Sequence, residues 1–135
     1  METAAADLFR GTDFDRIFHP ENIAVIGVSP KGNMFGTGIM NSIIAVGFEG
    51  GVFPVNHKGG EYAGRKIYTG VSEIPVPIDF AVIAVPAEHV PRALEECRLK
   101  GVAGVEILSS GFSELGTEAG RRLEEEIRDI AAKGI

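Results

Sequence analysis

Runs of mainly apolar residues alternate along this chain with segments in which apolar residues recur at helical spacing. The apolar runs are residues 23–28, 51–56, 80–85 and 104–108. Runs of this kind predict parallel strands that are covered on both faces. The helical patterns fall at residues 13–18, 36–46, 88–100 and 117–133. This alternation predicts an α/β fold, with a Rossmann-like, doubly wound parallel sheet in three αβα layers that forms a single domain over residues 1–135.

The same periodicity predicts which helical positions are buried. Asp13 is expected to cap the first helix. The predicted core positions in the helices are Phe14, Ile17, Phe18, Ile39, Met40, Ile43, Ile44, Val90, Leu94, Cys97, Ala119, Leu123, Ile127, Ile130 and Ala131. Residues 1–12 have little pattern and are expected to form a frayed lead-in. Residues 62–71 are expected to form a loop with one short extended piece at 66–68.

Composition narrows the classes of function. The chain has 135 residues, of which 44% are hydrophobic and 24% charged, as in a globular domain. Its formal net charge of −6, with no basic stripe, argues against binding to nucleic acid or to an acidic membrane surface. Cys97 is the one cysteine, so no internal disulfide can form, and the first residues lack the pattern of a secretory signal. We therefore expect a cytoplasmic protein.

The turn after the first predicted strand has the character of a phosphate-binding loop. Gly27 allows close approach of backbone and ligand, and the helix beginning near Gly36 offers free N–H groups and a positive dipole end. The spacing is not Gly-x-Gly-x-x-Gly, since Ser29 replaces the second glycine, but a serine hydroxyl can donate to a phosphate oxygen. The alternative is a plain βα turn that binds nothing.

The end of the second predicted strand carries a cation. An NAD-binding unit has an Asp or Glu there, which accepts from the ribose 2′-OH, whereas this chain has Lys58. A lysine at this position favours a ribose with an extra phosphate, which both NADP and coenzyme A possess. Asn56 is placed to hydrogen-bond the adenosine. The alternative is a lysine exposed in a loop.

The other two strand ends add polar groups to the same predicted crevice. Pro86 ends the third strand, and Ser109, Ser110 and Gly111 follow the fourth, where they supply hydroxyl and N–H groups or simply satisfy the backbone of a turn. No residue is assigned a catalytic role, and the histidines and the cysteine lack the spacing of a metal site. The chain therefore has the features of a binding module more than those of a complete enzyme.

Five segments in fixed order carry a family resemblance. They are residues 18–29, Gly47-Phe48-Glu49-Gly50, Pro54-Val55-Asn56-His57-Lys58, Ile83-Ala84-Val85-Pro86-Ala87 and Ser109-Ser110-Gly111-Phe112-Ser113-Glu114. Together they resemble the CoA-binding domain of the nucleoside-diphosphate-forming acyl-CoA synthetases. That group includes the ADP-forming acetate–CoA ligases and the succinyl-CoA synthetase α subunit. The resemblance covers nearly the whole chain.

The resemblance implies a set of ligand contacts. In that family the loop after the first strand, the lysine after the second and the turn after the fourth hold CoA. Carried over by position, the contacts are Ser29, Pro30, Lys31, Lys58, Ser109, Ser110 and Gly111, with Val85 and Pro86 lining the crevice. The resemblance thus favours coenzyme A over NADP. The family's Val-Asn-Pro-Lys motif has His57 in place of the proline here, which keeps the lysine.

The resemblance also implies an activity for a larger protein. Enzymes of the family make acyl-CoA, ADP and phosphate from a carboxylic acid, CoA and ATP, through an acyl phosphate and a phosphohistidine. A fifth strand, the phosphorylated histidine and the ATP-grasp domain have no counterpart here, and none of His19, His57 and His89 matches that histidine. We therefore expect this chain to be the N-terminal part of a longer protein, whose other domains or subunit are its partners.

Two other functions stay open at this point. One is a stand-alone or regulatory CoA-binding module, for example one fused to a protein acetyltransferase. The other is a fragment of an NADP-binding oxidoreductase, which would bind a nicotinamide cofactor through the same strand ends. The acyl substrate is not determined by these residues, and a homo-oligomer is left open.

Overall fold

Four parallel strands form the centre of the structure, a computed structural model that describes residues 11–135. The strands in chain order are β1 (Asn22–Ile26), β2 (Gly51–Val55), β3 (Gly60–Tyr62), β4 (Arg65–Ile67), β5 (Phe80–Ile83) and β6 (Gly104–Ile107). The central sheet has the order β2-β1-β5-β6, and β3 and β4 form a separate antiparallel hairpin. In the register of the sheet, Val25 lies between Pro54 and Val82.

Helices cover both faces of this sheet. They are α1 (Phe14–Phe18), α2 (Phe35–Ala45), α3 (Val90–Lys100) and α4 (Glu118–Ala132), with short 3₁₀ turns at Val71–Glu73, Ala87–His89 and Ser113–Leu115. Alternate residues of β1 point to opposite faces, as they must in a strand. Val25 packs on one face with Met40 of α2, and Ala24 packs on the other with Leu94 of α3. The predicted Rossmann-like α/β fold, with helices on both sides of a parallel sheet, is confirmed.

The strand order places a switch point at the centre of the sheet. The chain passes from β1 outward to β2, and then crosses back over β1 to β5 on the other side. In open α/β sheets a crevice forms where the direction of winding reverses, outside the carboxyl ends of the strands. The ends of β1, β2 and β5 therefore meet at one edge of the sheet.

A polar anchor holds α1 at the opposite edge. Asp13 caps this helix as predicted, since its carboxylate accepts from the backbone N–H of Arg16. The Arg16 guanidinium in turn donates to Asp79, with 2.8 Å between Nε and Oδ1, and Asp79 also accepts from the N–H groups of Glu21 and Asn22. Burial raises the pKa of Asp79, but these hydrogen bonds outweigh burial and hold the pKa below its usual range.

Some of the predicted core positions are wrong. Phe14 and Phe18 are 47% and 71% exposed, and their rings stack on each other with centroids 6.3 Å apart. Ile44 and Ala119 are also exposed. In this helix of five residues, Arg16 bonds to Asp79 and Ile17 lies against Gly104 of β6. The other predicted positions are buried or half-buried, with Met40, Val90, Leu94, Cys97 and Ile130 fully so.

The predicted loop at residues 62–71 is wrong in part, because it contains half of a hairpin. Tyr62 of β3 pairs with Arg65 of β4, and the two residues between them, Ala63 and Gly64, have φ of 50° and 77°. The extended piece predicted at 66–68 corresponds to β4 and to Tyr68, which bridges to Val55. The predicted lead-in at 1–12 lies outside the described residues except for its last two positions.

Candidate functional site

A cavity of about 590 Å³ opens at the carboxyl ends of β1, β2 and β5, which is a size typical of ligand pockets. Its lining residues are Ile26, Gly27, Ser29, Pro30, Lys31, Met34, Val55, Asn56, His57, Lys58, Thr69, Val85, Pro86, His89, Arg92, Ala93 and Glu96. Eight of the residues predicted from the sequence are among them: Gly27, Ser29, Pro30, Lys31, Asn56, Lys58, Val85 and Pro86. The fold thus brings the first three predicted strand ends together in one cavity.

Close backbone packing forms the inner wall of this cavity. Gly27 has a φ of +117°, and a Cβ on it would lie 2.2 Å from the carbonyl oxygen of Ala84. A Cβ on Gly36 would lie 2.5 Å from the carbonyl oxygen of Gly27, so the start of α2 rests directly on the end of β1. Larger side chains are excluded at both positions. This contact brings the first turn of α2, which begins without a capping side chain, to the strand ends.

Ser29 is the buried polar group of the loop after β1. Its backbone N–H donates to the buried hydroxyl of Thr37, with 3.0 Å between N and Oγ1. Its own hydroxyl oxygen accepts from the N–H of Lys31 at 3.1 Å. Because that oxygen acts as an acceptor, the hydroxyl hydrogen stays available as a donor to a ligand. The loop is thereby held with a donor at the cavity.

Both polar atoms of the Asn56 side-chain amide form hydrogen bonds with the backbone, and these bonds hold the turn after β2 in place. Its Oδ1 accepts from the N–H of Lys58, and its Nδ2 donates to the carbonyl oxygen of Val28, each at 3.0 Å. A further bond from the N–H of Gly59 to the carbonyl of Asn56 closes the turn. The side chain that was predicted to contact adenosine therefore has partners within the protein. Lys58 itself is exposed at the cavity.

Cations dominate the charged lining of the cavity. Among its described lining residues, Lys31, Lys58 and Arg92 are cationic, and Glu96 is the one carboxylate. Arg92 and Glu96 are one helical turn apart on α3, with 3.5 Å between Nε and Oε1, and the arginine side chain is 86% exposed. In a chain with a formal net charge of −6, this local excess of positive charge favours an anionic ligand.

The turn after β6 lies beside the cavity and does not line it. The hydroxyl of Ser109 donates to the carbonyl oxygen of Val85 at 2.5 Å, so the turn supports the segment after β5. A Cβ on Gly111 would lie 3.0 Å from the Cβ of Ala87, and Ser110 is exposed. Of the predicted site residues, Ser109, Ser110 and Gly111 are thus the ones that the structure leaves outside this cavity.

Two carboxylates hold that turn in place. The N–H groups of Gly111 and Phe112 donate to Glu114 at 2.5 and 3.0 Å, and the N–H of Ser113 donates to Glu124 at 3.0 Å. The hydrogen bonds from Phe112 and Gly111 hold the pKa of Glu114 below its usual range. The turn is therefore stabilised by carboxylates that stay ionised at neutral pH.

Among the residues with reactive side chains, two of the three histidines lie at the cavity. His57 and His89 line it, and His19 ends α1 at the far edge of the sheet. Cys97 is buried in the core, where burial raises the pKa of its thiol to about 12. The thiol is therefore protonated at neutral pH and packs as a small apolar group. Within residues 11–135, no helix is both long and apolar enough to cross a bilayer.

Sequence reasoning missed part of the lining. The lining residues that were not assigned to the site are Ile26, Met34, Val55, His57, Thr69, His89, Arg92, Ala93 and Glu96. Three of these belong to the first two turns of α3, which follows β5 directly. A helix that leaves the ligand edge of a sheet presents its first turns to the cavity, so the spacing of Arg92 and Glu96 after Pro86 is the signal that would have found them.

Comparison with known proteins matches this chain to a family of domains. The CoA binding domain family matches residues 21–134. The α subunit of ADP-forming acetate–CoA ligase I from Pyrococcus furiosus is 49% identical over 123 residues, which cover 88% of this chain and 26% of that subunit. A trans-feruloyl-CoA synthase from an unknown prokaryotic organism is 37% identical over 125 residues, covering 93% of this chain and 18% of the synthase.

Solved structures agree with these matches. A structure of the dinucleotide-forming acetyl-coenzyme A synthetase 1 of Ca. Korarchaeum cryptofilum, in complex with phosphate and ADP, is similar with a TM-score of 0.82 at 36% identity. The similarity covers 90% of this chain and 26% of that one. The chain thus spans about a quarter or less of the length of these relatives.

Proposed function

The chain belongs to the family of CoA-binding domains, and from that membership we propose that it binds coenzyme A in the cavity at the ends of β1, β2 and β5. The observation that carries this proposal is the cation-lined cavity with Lys58 at the end of β2. Coenzyme A has three phosphate groups, a 3′-phosphate and a diphosphate, joined to long uncharged parts. A cavity that combines cations with a largely apolar lining matches that composition.

We assign the phosphates to the polar part of the lining. Lys58 contacts the 3′-phosphate, because it takes the place at which an NAD-binding unit has its acidic residue. Ser29, Pro30 and Lys31 hold the diphosphate, since this loop supplies a hydroxyl donor and a cation beside the first turn of α2. Gly27 permits the close packing on which that loop depends. Asn56 keeps Lys58 in place.

The uncharged parts of coenzyme A lie against the apolar wall. Val85 and Pro86 form that wall at the end of β5, together with Ile26 and Val55. Ser109, Ser110 and Gly111, next to this segment, contact the portion of the ligand that extends past the cavity. The thiol of coenzyme A is the nucleophile that this domain supplies when the cofactor is bound.

We infer that the whole protein is an ADP-forming acyl-CoA synthetase and that this domain binds its coenzyme A. That enzyme would convert a carboxylic acid, CoA and ATP to acyl-CoA, ADP and phosphate, with the phosphohistidine and an ATP-grasp part outside residues 1–135. This chain raises the rate by holding the thiol near the acyl phosphate, which is a positioning effect. Relatives with this domain are named for acetate and for feruloyl-CoA, so the acyl specificity lies in other parts. We place the protein in the cytoplasm, which suits the unpaired, buried Cys97.

Isothermal titration of the chain with CoA, NADP and NAD tests the binding function. We expect binding of CoA and weak or no binding of the two nicotinamide cofactors. Binding of NADP in preference to CoA would overturn the proposal in favour of an oxidoreductase. For the synthetase activity, the protein that carries this chain is incubated with acetate, CoA and Mg·ATP. Formation of ADP and acetyl-CoA supports the proposal, and formation of AMP contradicts it.

A further inference from the structure

The hairpin of β3 and β4 lies between two segments that we assign to coenzyme A. It begins two residues after Lys58, at Gly60, and a Cβ on Gly60 would lie 2.8 Å from Cγ of Pro30 in the loop after β1. The hairpin is also tied to β2, because the Arg65 guanidinium donates to the carbonyl oxygen of Val52 at 3.2 Å. It therefore bridges the Ser29–Lys31 segment and the Lys58 segment from the outside.

Tyr62 of the hairpin packs against the loop after β1. Gly32 of the loop has a φ of +70°, and a Cβ on it would lie 3.1 Å from Cε2 of Tyr62, so the ring packs against the loop backbone. The Tyr62 hydroxyl accepts from Nδ2 of Asn41, with 3.1 Å between the two atoms. Since Asn41 is on α2, the side chain contacts the loop and the helix that follows it.

The contacts of Tyr62 restrict the loop that we assign to the diphosphate of coenzyme A. The loop between β1 and α2 is eight residues long, from 27 to 34, and contains Gly27 and Gly32 at positive φ. Glycines leave such a segment many conformations when nothing packs on it. Ser29 accepts from the N–H groups of Lys31 and Gly32 within the loop, and its own N–H donates to Thr37 of α2. The Tyr62 ring packs at Gly32, next to Lys31, and therefore limits the position of the second half of the loop relative to α2.

We propose that Tyr62 is a positioning residue for coenzyme A, which holds the loop after β1 in the conformation that binds the diphosphate. The inference rests on the proposed function, since it assumes that the loop contacts this ligand. Tyr62 itself is not among the residues that line the cavity, so it acts through the loop. The ring carries the effect, and the hydroxyl adds to it through Asn41.

Titration of four proteins with CoA and dephospho-CoA tests this role: the wild type, Tyr62→Ala, Tyr62→Phe and the control Glu61→Ala, whose side chain is exposed on the same strand. We expect Tyr62→Ala to weaken binding of both ligands by about tenfold, because both carry the diphosphate. Tyr62→Phe keeps the ring and should stay within about threefold of the wild type, since it loses a single hydrogen bond. Glu61→Ala should match the wild type.

The outcomes separate this inference from the proposed function. If the wild type binds no CoA, both fail. If the wild type binds CoA and folded Tyr62→Ala binds it equally well, the inference alone is overturned. Circular dichroism and thermal unfolding check the fold of each variant. Tyr62→Leu keeps an apolar side chain on β3 and replaces Tyr62→Ala if that protein does not fold. Its affinity should lie between those of Tyr62→Phe and a tenfold loss, and wild-type affinity would overturn the inference.

Discussion

The side-chain amide of Asn56 donates to the carbonyl oxygen of Val28, with 3.0 Å between Nδ2 and O. This bond joins the turn after β2 to the loop after β1, the two segments that provide the cations Lys58 and Lys31. The same side chain accepts from the N–H of Lys58. The Asn56 side chain therefore links the two segments that we assign to the phosphates.

Replacing Asn56 should separate these segments. We expect Asn56→Ala to lower the free energy of unfolding by about 1–2 kcal/mol, since it removes two side-chain hydrogen bonds. Binding of CoA should weaken by about tenfold because Lys58 loses its fixed place. Urea unfolding and isothermal titration measure the two effects.

The matched control is Asn22→Ala at the opposite end of β1. Asn22 makes a similar bond from Nδ2 to a main-chain carbonyl, that of Pro77, at 3.0 Å. This variant should lose stability and keep its affinity for CoA. If the two variants bind CoA equally well, Asn56 has no role beyond stability.

Arg92 should contribute to binding through its charge. We expect Arg92→Ala to weaken CoA binding by about three- to tenfold at low ionic strength, with a smaller loss as salt is added, since its side chain is exposed. Arg122→Ala is the control, because Arg122 forms the same ion pair with a glutamate four residues away but lies on α4 outside the cavity. Titration at two salt concentrations checks the prediction. Equal affinities for the two variants would contradict it.

Asp79 should make the stability of the protein depend on acid pH. Its pKa is depressed in the folded state, so its contribution is complete above the unfolded pKa of about 3.9 and is lost as the pH falls through the folded value. We expect Asp79→Asn to lower the free energy of unfolding by about 1–3 kcal/mol at pH 7. The difference from the wild type should shrink below about pH 4. Urea unfolding at several pH values measures it, and a difference that stays constant down to pH 2 would contradict the assignment.

The strands and the first three ligand-edge turns could be predicted because they depend on local signals. A buried parallel strand is a continuous apolar run, and the residues that follow it necessarily lie at the carboxyl edge of the sheet. Gly27, Ser29 and Lys58 line the cavity for this reason. The observed strands are one to two residues shorter than predicted, since the apolar runs continue into the turns.

The hairpin could not be predicted because its turn lacks the usual signal. Two-residue hairpin turns favour Asn-Gly or Asp-Gly, since both residues need a positive φ, and here the pair is Ala63-Gly64. Tertiary contacts hold it instead, through Tyr62 and Arg65. The exposure of Phe14 and Phe18 could not be predicted from periodicity either, because periodicity does not show how a helix of five residues is oriented on the sheet.

The position of the turn after β6 relative to the cavity could not be predicted from the strand ends alone. All parallel strands end at the same edge, yet Ser109, Ser110 and Gly111 lie beside the cavity formed by the other three. β6 and β2 are both outer strands of the sheet, but the turn after β6 bonds to the segment after β5 through Ser109 and lies beside the cavity. The path of each loop, which sequence spacing does not contain, decides which turns line the cavity.

Titration of the wild type and of Lys58→Ala with CoA and with dephospho-CoA tests the central assignment most directly. We expect the wild type to prefer CoA by about 1.5–3 kcal/mol, the range of a hydrogen bond to a charged group. Lys58→Ala should lose this preference and bind dephospho-CoA as the wild type does. Equal losses of affinity for both ligands would contradict the assignment of Lys58 to the 3′-phosphate.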